Sequence, residues 1–91
     1  MKVSAHILVK GHVQRVGFRW FVEKEAVLLN LTGFVRNLNS GDVEAQVEGE
    51  RGLIEELIKK IKIGNRLSQV NDVRIDWGQF ENKFDSFMIR V

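Results

Sequence analysis

The feature that most constrains this chain is a change of hydrophobic period across a short loop with a glycine at each end. Val3, Ala5, Ile7 and Val9 alternate as one face of a β-strand. After Gly11 to Gly17 the apolar positions become Phe18, Phe21, Val22, Ala26 and Leu29, which is the spacing of one helix face. A strand that turns into a helix this quickly must lay the helix's apolar stripe on a sheet, and the sheet needs further strands to be covered.

Those strands are legible downstream. Thr32 to Asn37 and Val43 to Gly49 are extended in character, and Asn39, Ser40 and Gly41 between them are turn residues, so the pair reads as a hairpin. Leu53, Ile54, Leu57, Ile58 and Ile61 mark a second amphipathic helix ending at Gly64, with Glu55 and Lys59 spaced to pair four residues apart. Val70 to Trp77 and Phe84 to Val91 supply two more strands. The order β-α-β-β-α-β-β predicts an α+β, ferredoxin-like (split βαβ) sandwich: an antiparallel sheet of four or five strands with two helices on one face. At 91 residues, the whole of 1–91 is expected to be one domain.

Composition narrows the chemistry. With no cysteine, the chain has no disulfide, thiolate nucleophile, zinc–thiolate site or iron–sulfur cluster. No His and carboxylate cluster suggests a metal, so no metal or other cofactor is expected. Met1 to Lys10 lacks the pattern of a signal peptide, and no apolar run approaches the roughly 20 residues of a membrane helix, so a cytoplasmic protein without membrane association is expected. A net charge of +2 is too mild to argue for nucleic acid and suits a small anionic substrate. Size and an ordinary surface composition predict a monomer.

Gly11-His12-Val13-Gln14-Arg15-Val16-Gly17-Phe18-Arg19 is the informative segment, because a loop entering a helix can turn several N–H groups and the helix's positive end toward one anion. The plainer reading is a connector. Arg19 falls in the first helical turn, where a cation opposes the macrodipole by some tenths of a kcal/mol. Either it grips a dianion with its planar fork, or it pairs with Glu23 four residues on. Asn37 closes the second strand, where its carboxamide can satisfy the turn backbone or hold a water. Phe18 and Phe21 are expected in the core, Trp20 less so, and His6 on an exposed strand face.

These residues resemble those of acylphosphatases, which carry a loop of the form Gly-x-Val-Gln-Gly-Val-x-Phe-Arg followed by Gly-(Phe/Tyr/Trp)-Val-x-Asn. Here the counterparts are Gly11 to Arg19 and Gly33-Phe34-Val35-Arg36-Asn37, and the likeness continues through Gly41, Val43, Glu44, Glu48 and Gly49. The resemblance implies hydrolysis of a small-molecule acyl phosphate to carboxylate and inorganic phosphate without a metal. The loop from His12 through Val13, Gln14, Arg15 and Val16 would cradle the phosphate with its N–H groups. Arg19 would bind that phosphate and Asn37 would orient the attacking water. A basic residue at His12 is usual in the family without a catalytic role.

Arg15 is the departure, standing where the family has its second loop glycine. If that position needs a positive φ, a side chain there costs roughly 1 to 2 kcal/mol. An alternative reading is therefore an acylphosphatase-like domain that binds phosphate or carbamoyl phosphate with weakened turnover or none. The segment Ile63-Gly64-Asn65-Arg66-Leu67-Ser68 also lacks the proline-containing loop common before the fourth strand in relatives. A remote alternative is an RNA-binding module, since Gly17 to Phe21 superficially matches an aromatic RNA motif, although here it starts a helix and not a central strand.

Overall fold

The computed structural model describes residues 1–91. Its elements are β1 (Lys2–His12), α1 (Phe18–Leu28), β2 (Thr32–Asn37), β3 (Val43–Glu50), α2 (Arg51–Ile63), β4 (Gln69–Gln79) and β5 (Phe87–Arg90). The strands form one sheet in the order β4-β1-β3-β2-β5. β1 and β2 thus run side by side in direction with β3 antiparallel between them, and both end at the same edge of the molecule.

Alternation decides which face is buried. Ala5, Ile7 and Val9 pair with Val47, Ala45 and Val43, and Val35 pairs with Ala45, so the small and β-branched residues of three strands share one side. Onto that side α1 packs Phe18, Val22 and Ala26, and α2 packs Ile54, Leu57, Ile58 and Ile61, all in one core cluster. Both helices lie on one face, as the pattern predicted.

The sheet itself is mixed and not wholly antiparallel. β5 pairs with β2 in parallel, Gly33 opposite Phe87 and Val35 opposite Ile89. The loop after β4 carries the chain across the open face to the far edge before β5 begins, and that path sets the direction. On the way, the carboxylate of Glu48, 2% exposed, accepts hydrogen bonds from the N–H groups of Glu81 (2.7 Å) and Lys83 (2.9 Å). Phe84 lies outside β5, its ring edge-on to Phe34 at 6.0 Å between centroids, so this last strand is shorter than its apolar pattern suggests.

Two expected side-chain placements also change. Glu55 faces Arg51 at 3.7 Å and not Lys59, because the Arg51 guanidinium is stacked 4.2 Å from the centre of the Trp77 ring at the start of α2. His6 is half-buried, its Nε2 lying 2.7 Å from Glu44 Oε2.

Candidate active site

The loop at residues 13–17 leaves the end of β1 with a slip in register between Lys10 and Gly11. Gly11 has φ 135°, and a Cβ there would stand 2.1 Å from the Gln69 carbonyl oxygen, so only glycine keeps β1 against β4 while the chain turns. Val13 is buried and anchors the loop in the core. Arg15 (φ 62°) and Gly17 (φ 74°) are both left-handed with Val16 between them, so successive N–H groups are gathered in a concave turn.

Two distant side chains hold this loop in place. Gln14 Nε2 donates to the carbonyls of Leu38 (2.8 Å) and Asp42 (2.9 Å), joining the loop to the β2–β3 turn. Asn65 Nδ2 donates to the Val16 carbonyl at 2.8 Å, which fixes the plane of the peptide whose N–H belongs to Gly17. Asn65 is itself fixed by Ser68, whose Oγ accepts from the Asn65 N–H (3.0 Å) and donates to the Asn65 carbonyl (3.1 Å).

Helix α1 begins with its donors uncommitted. Its N-cap is Gly17, with no side-chain cap and no acidic residue in the first turn. From Gln14 to Trp20, no backbone N–H finds a carbonyl partner in the protein. Such a run, at the positive end of a helix, favours an anion.

A pocket of about 160 Å³ opens on these groups, lined by Val13, Arg15, Gly17, Phe18, Arg19, Trp20, Asn37 and Ile89. No acidic residue lines it. Arg19, half-buried, donates to the Arg90 carbonyl at 3.3 Å, and the Glu23 pair that its spacing allows is not made. Arg15 is exposed at the mouth and enters none of the ion pairs. Asn37 reaches the pocket from the end of β2, its Oδ1 buried without a hydrogen-bond partner. Oδ1 of Asn65, behind the loop, is likewise buried and unpaired, so both amides that flank the loop keep acceptor capacity that the protein does not fill.

The structure therefore brings Val13, Arg15, Arg19 and Asn37 to one pocket, while His12, Gln14 and Val16 do not line it. His12 is exposed; Gln14 and Val16 serve as attachment points of the loop. Sequence reasoning missed Gly17, Phe18, Trp20 and Ile89 as pocket walls, and Asn65 as a clamp. Only Gly17 carried a signal, as the glycine just before the helical period.

On the open sheet face beside the loop, Lys10 Nζ lies 2.9 Å from Asp42 Oδ2, and this hydrogen bond holds the Asp42 carboxyl below the usual carboxylate range. Glu44 is likewise held low, chiefly by its hydrogen bond with His6 and then by Arg36. No three His, Asp or Glu side chains come together as a metal-ligand set.

Fold and pocket define a class: a ferredoxin-like sandwich with a cationic, N–H-rich pocket where β1 and β2 end. The acylphosphatase family model matches residues 5–89, and the chain belongs to that family of hydrolases. It is 39% identical over 89 residues to an acylphosphatase of Caldanaerobacter subterraneus, covering 98% of this chain and 99% of that one. The crystal structure of acylphosphatase from Bacillus subtilis superposes with a TM-score of 0.94 at 32% identity, covering 98% of this chain and 99% of that one. A full-length HypF structure in phosphate- and nucleotide-bound form matches all of this chain at TM-score 0.87 and 30% identity, but the match is only 12% of its own length.

Proposed function

We propose that this pocket hydrolyses acyl phosphates by in-line attack of water on phosphorus, with Arg19 and the loop N–H groups holding the phosphate and Asn37 holding the water. One observation carries the reading: an uncommitted run of N–H groups, a guanidinium without a carboxylate and the Asn37 carboxamide meet in one small pocket, although they come from separate elements.

The chemistry needs little more. The phosphoryl group enters with two negative charges, and the N–H groups of the loop, the helix end and the Arg19 fork take its non-bridging oxygens. The Asn37 carboxamide hydrogen-bonds the water and leaves an oxygen lone pair facing phosphorus, opposite the acyl oxygen. As the new P–O bond forms, the bond to the acyl oxygen breaks and a carboxylate departs. The products are that carboxylate and dihydrogen phosphate, the water proton going to a phosphate oxygen. A carboxylate is a weak base, so it leaves without an acid, and positioning with charge stabilisation supplies the catalysis. In this reading His12 and Val16 help shape the cradle by their backbone, the enzyme acts as a single-domain cytoplasmic monomer, and its partners are the small-molecule substrate and inorganic phosphate.

The test is hydrolysis of benzoyl phosphate with and without chelator. The intact chain is expected to turn over in chelator, and Arg19→Ala and Asn37→Ala each to lose about two or more decades in kcat/KM, the scale of removing a transition-state donor or a positioned water. Full activity in either variant would remove its assigned role, and no turnover in the intact chain would leave only an anion-binding domain.

A further inference from the structure

The hydrolase reading leaves one charged side chain of the pocket without a task. Arg15 lines the pocket, carries a full positive charge, pairs with no carboxylate, and adopts a left-handed backbone at φ 62° although it has a Cβ. A side chain kept in an unfavourable conformation beside a site calls for an explanation in function.

Its place in the pocket separates it from Arg19. Arg19 is half-buried and tied to the Arg90 carbonyl, whereas Arg15 is exposed at the mouth. With the phosphoryl group against the N–H groups at the inner end of this open pocket of about 160 Å³, the acyl part of a substrate extends toward its mouth. Trp20, 63% exposed, and Ile89, 37% exposed, line that opening with the Arg15 guanidinium, and Lys24 Nζ stands 5.5 Å from the centre of the Trp20 ring on a side chain outside the pocket lining. An apolar shelf beside a free cation complements a short carbon skeleton that ends in an anion.

Resting on the hydrolase reading above, we propose that Arg15 is a specificity-determining residue that favours acyl phosphates whose acyl group carries a second anionic group. Arg19 and the N–H groups hold the phosphate common to all substrates, and Arg15 distinguishes among them.

The experiment compares kcat/KM for benzoyl phosphate with that for its 3-carboxy and 4-carboxy derivatives, which share the ring and the scissile acyl-phosphate bond and differ in one carboxylate. The ratio of carboxylated to plain substrate is measured for the intact protein and for Arg15→Asn, Arg15→Gly and Arg15→Lys. Asparagine tolerates the left-handed backbone and glycine prefers it, so the two variants have in common only the loss of charge. Any general effect on the loop cancels in the ratio. The ratio for at least one carboxylated substrate is expected to fall about fivefold in both, to fall less in Arg15→Lys, and the intact protein's preference to shrink in high salt. Ratios unchanged in Arg15→Asn and Arg15→Gly would overturn the proposal. So would weaker inhibition by inorganic phosphate with the ratios intact, since Arg15 would then be a ligand of the common phosphate. Failure of the intact protein to hydrolyse any of the three would refute the hydrolase reading itself, and this inference with it.

Discussion

Replacing Arg15 by glycine is expected to stabilise the protein while removing a charged side chain. The left-handed conformation at φ 62° costs a residue with a Cβ about 1 to 2 kcal/mol, and glycine removes that cost. Against this stands the greater freedom of glycine in the unfolded chain, about 0.5 to 1 kcal/mol. Nothing else is lost, because Arg15 is exposed and makes no ion pair. The net gain is about 0.5 to 1 kcal/mol, which for a domain of this size raises Tm by roughly 3 to 6 °C. Scanning calorimetry in phosphate-free buffer measures it, since a bound anion would add its own stabilisation. Arg15→Ala keeps the Cβ and is expected to leave Tm nearly unchanged, which isolates the backbone from the charge. A lower Tm for Arg15→Gly than for the intact protein, or an equal gain in Arg15→Ala, would refute the strain argument.

Further outcomes follow from the contacts around the site. Removing the clamp on Val16 with Asn65→Ala is expected to raise KM and to weaken inhibition by inorganic phosphate in parallel, about tenfold in kcat/KM, because one positioned donor of the cradle loses its orientation. An equal fall in kcat with unchanged KM would contradict this. Glu48→Gln leaves one of the Glu81 and Lys83 N–H groups facing an amide NH₂, and a loss of about 2 to 3 kcal/mol is expected in urea unfolding, with faster hydrogen exchange at residues 81 and 83. Stability is also expected to fall in acid. Asp42 and Glu44 have lowered folded-state pKa values, so the unfolded chain binds the extra protons first. Their contribution is complete above the ordinary carboxylate value near 4 and is lost as pH drops through the folded values. Urea titrations from pH 6 to pH 3 check this, and Glu44→Gln is expected to flatten the slope.

Period and turn chemistry carried most of the fold. The alternation of Val3 to Val9, the helical spacing from Phe18 and from Leu53, and the glycine after Ile63 are local signals, and the structure has elements at each of them. The parallel pairing of β5 was not legible, because alternation in Phe87 to Val91 fixes which side is apolar but not which strand stands beside it. Glu48 reads as a solvent-facing strand residue until the loop after β4 closes over it. For the pocket, the glycine-bounded loop and the misfit cation Arg19 were visible as a rule broken at a helix start. Gln14 and Asn65 were not assigned as clamps because their carbonyl partners lie 24 to 49 residues away in sequence, and no local spacing encodes that meeting. Ile89 reaches the pocket only because β5 is laid beside β2.

The central claim is that this pocket directs water to phosphorus and not to the acyl carbon. Hydrolysis of benzoyl phosphate by the intact protein in ¹⁸O-labelled water, followed by mass analysis of both products, tests it directly. Label in the inorganic phosphate, with unlabelled benzoate and with the labelled product lost in Asn37→Ala, is the predicted result. Label in the benzoate would contradict the account, because attack would then occur at carbon and the cradle, Arg19 and Asn37 would have no in-line role.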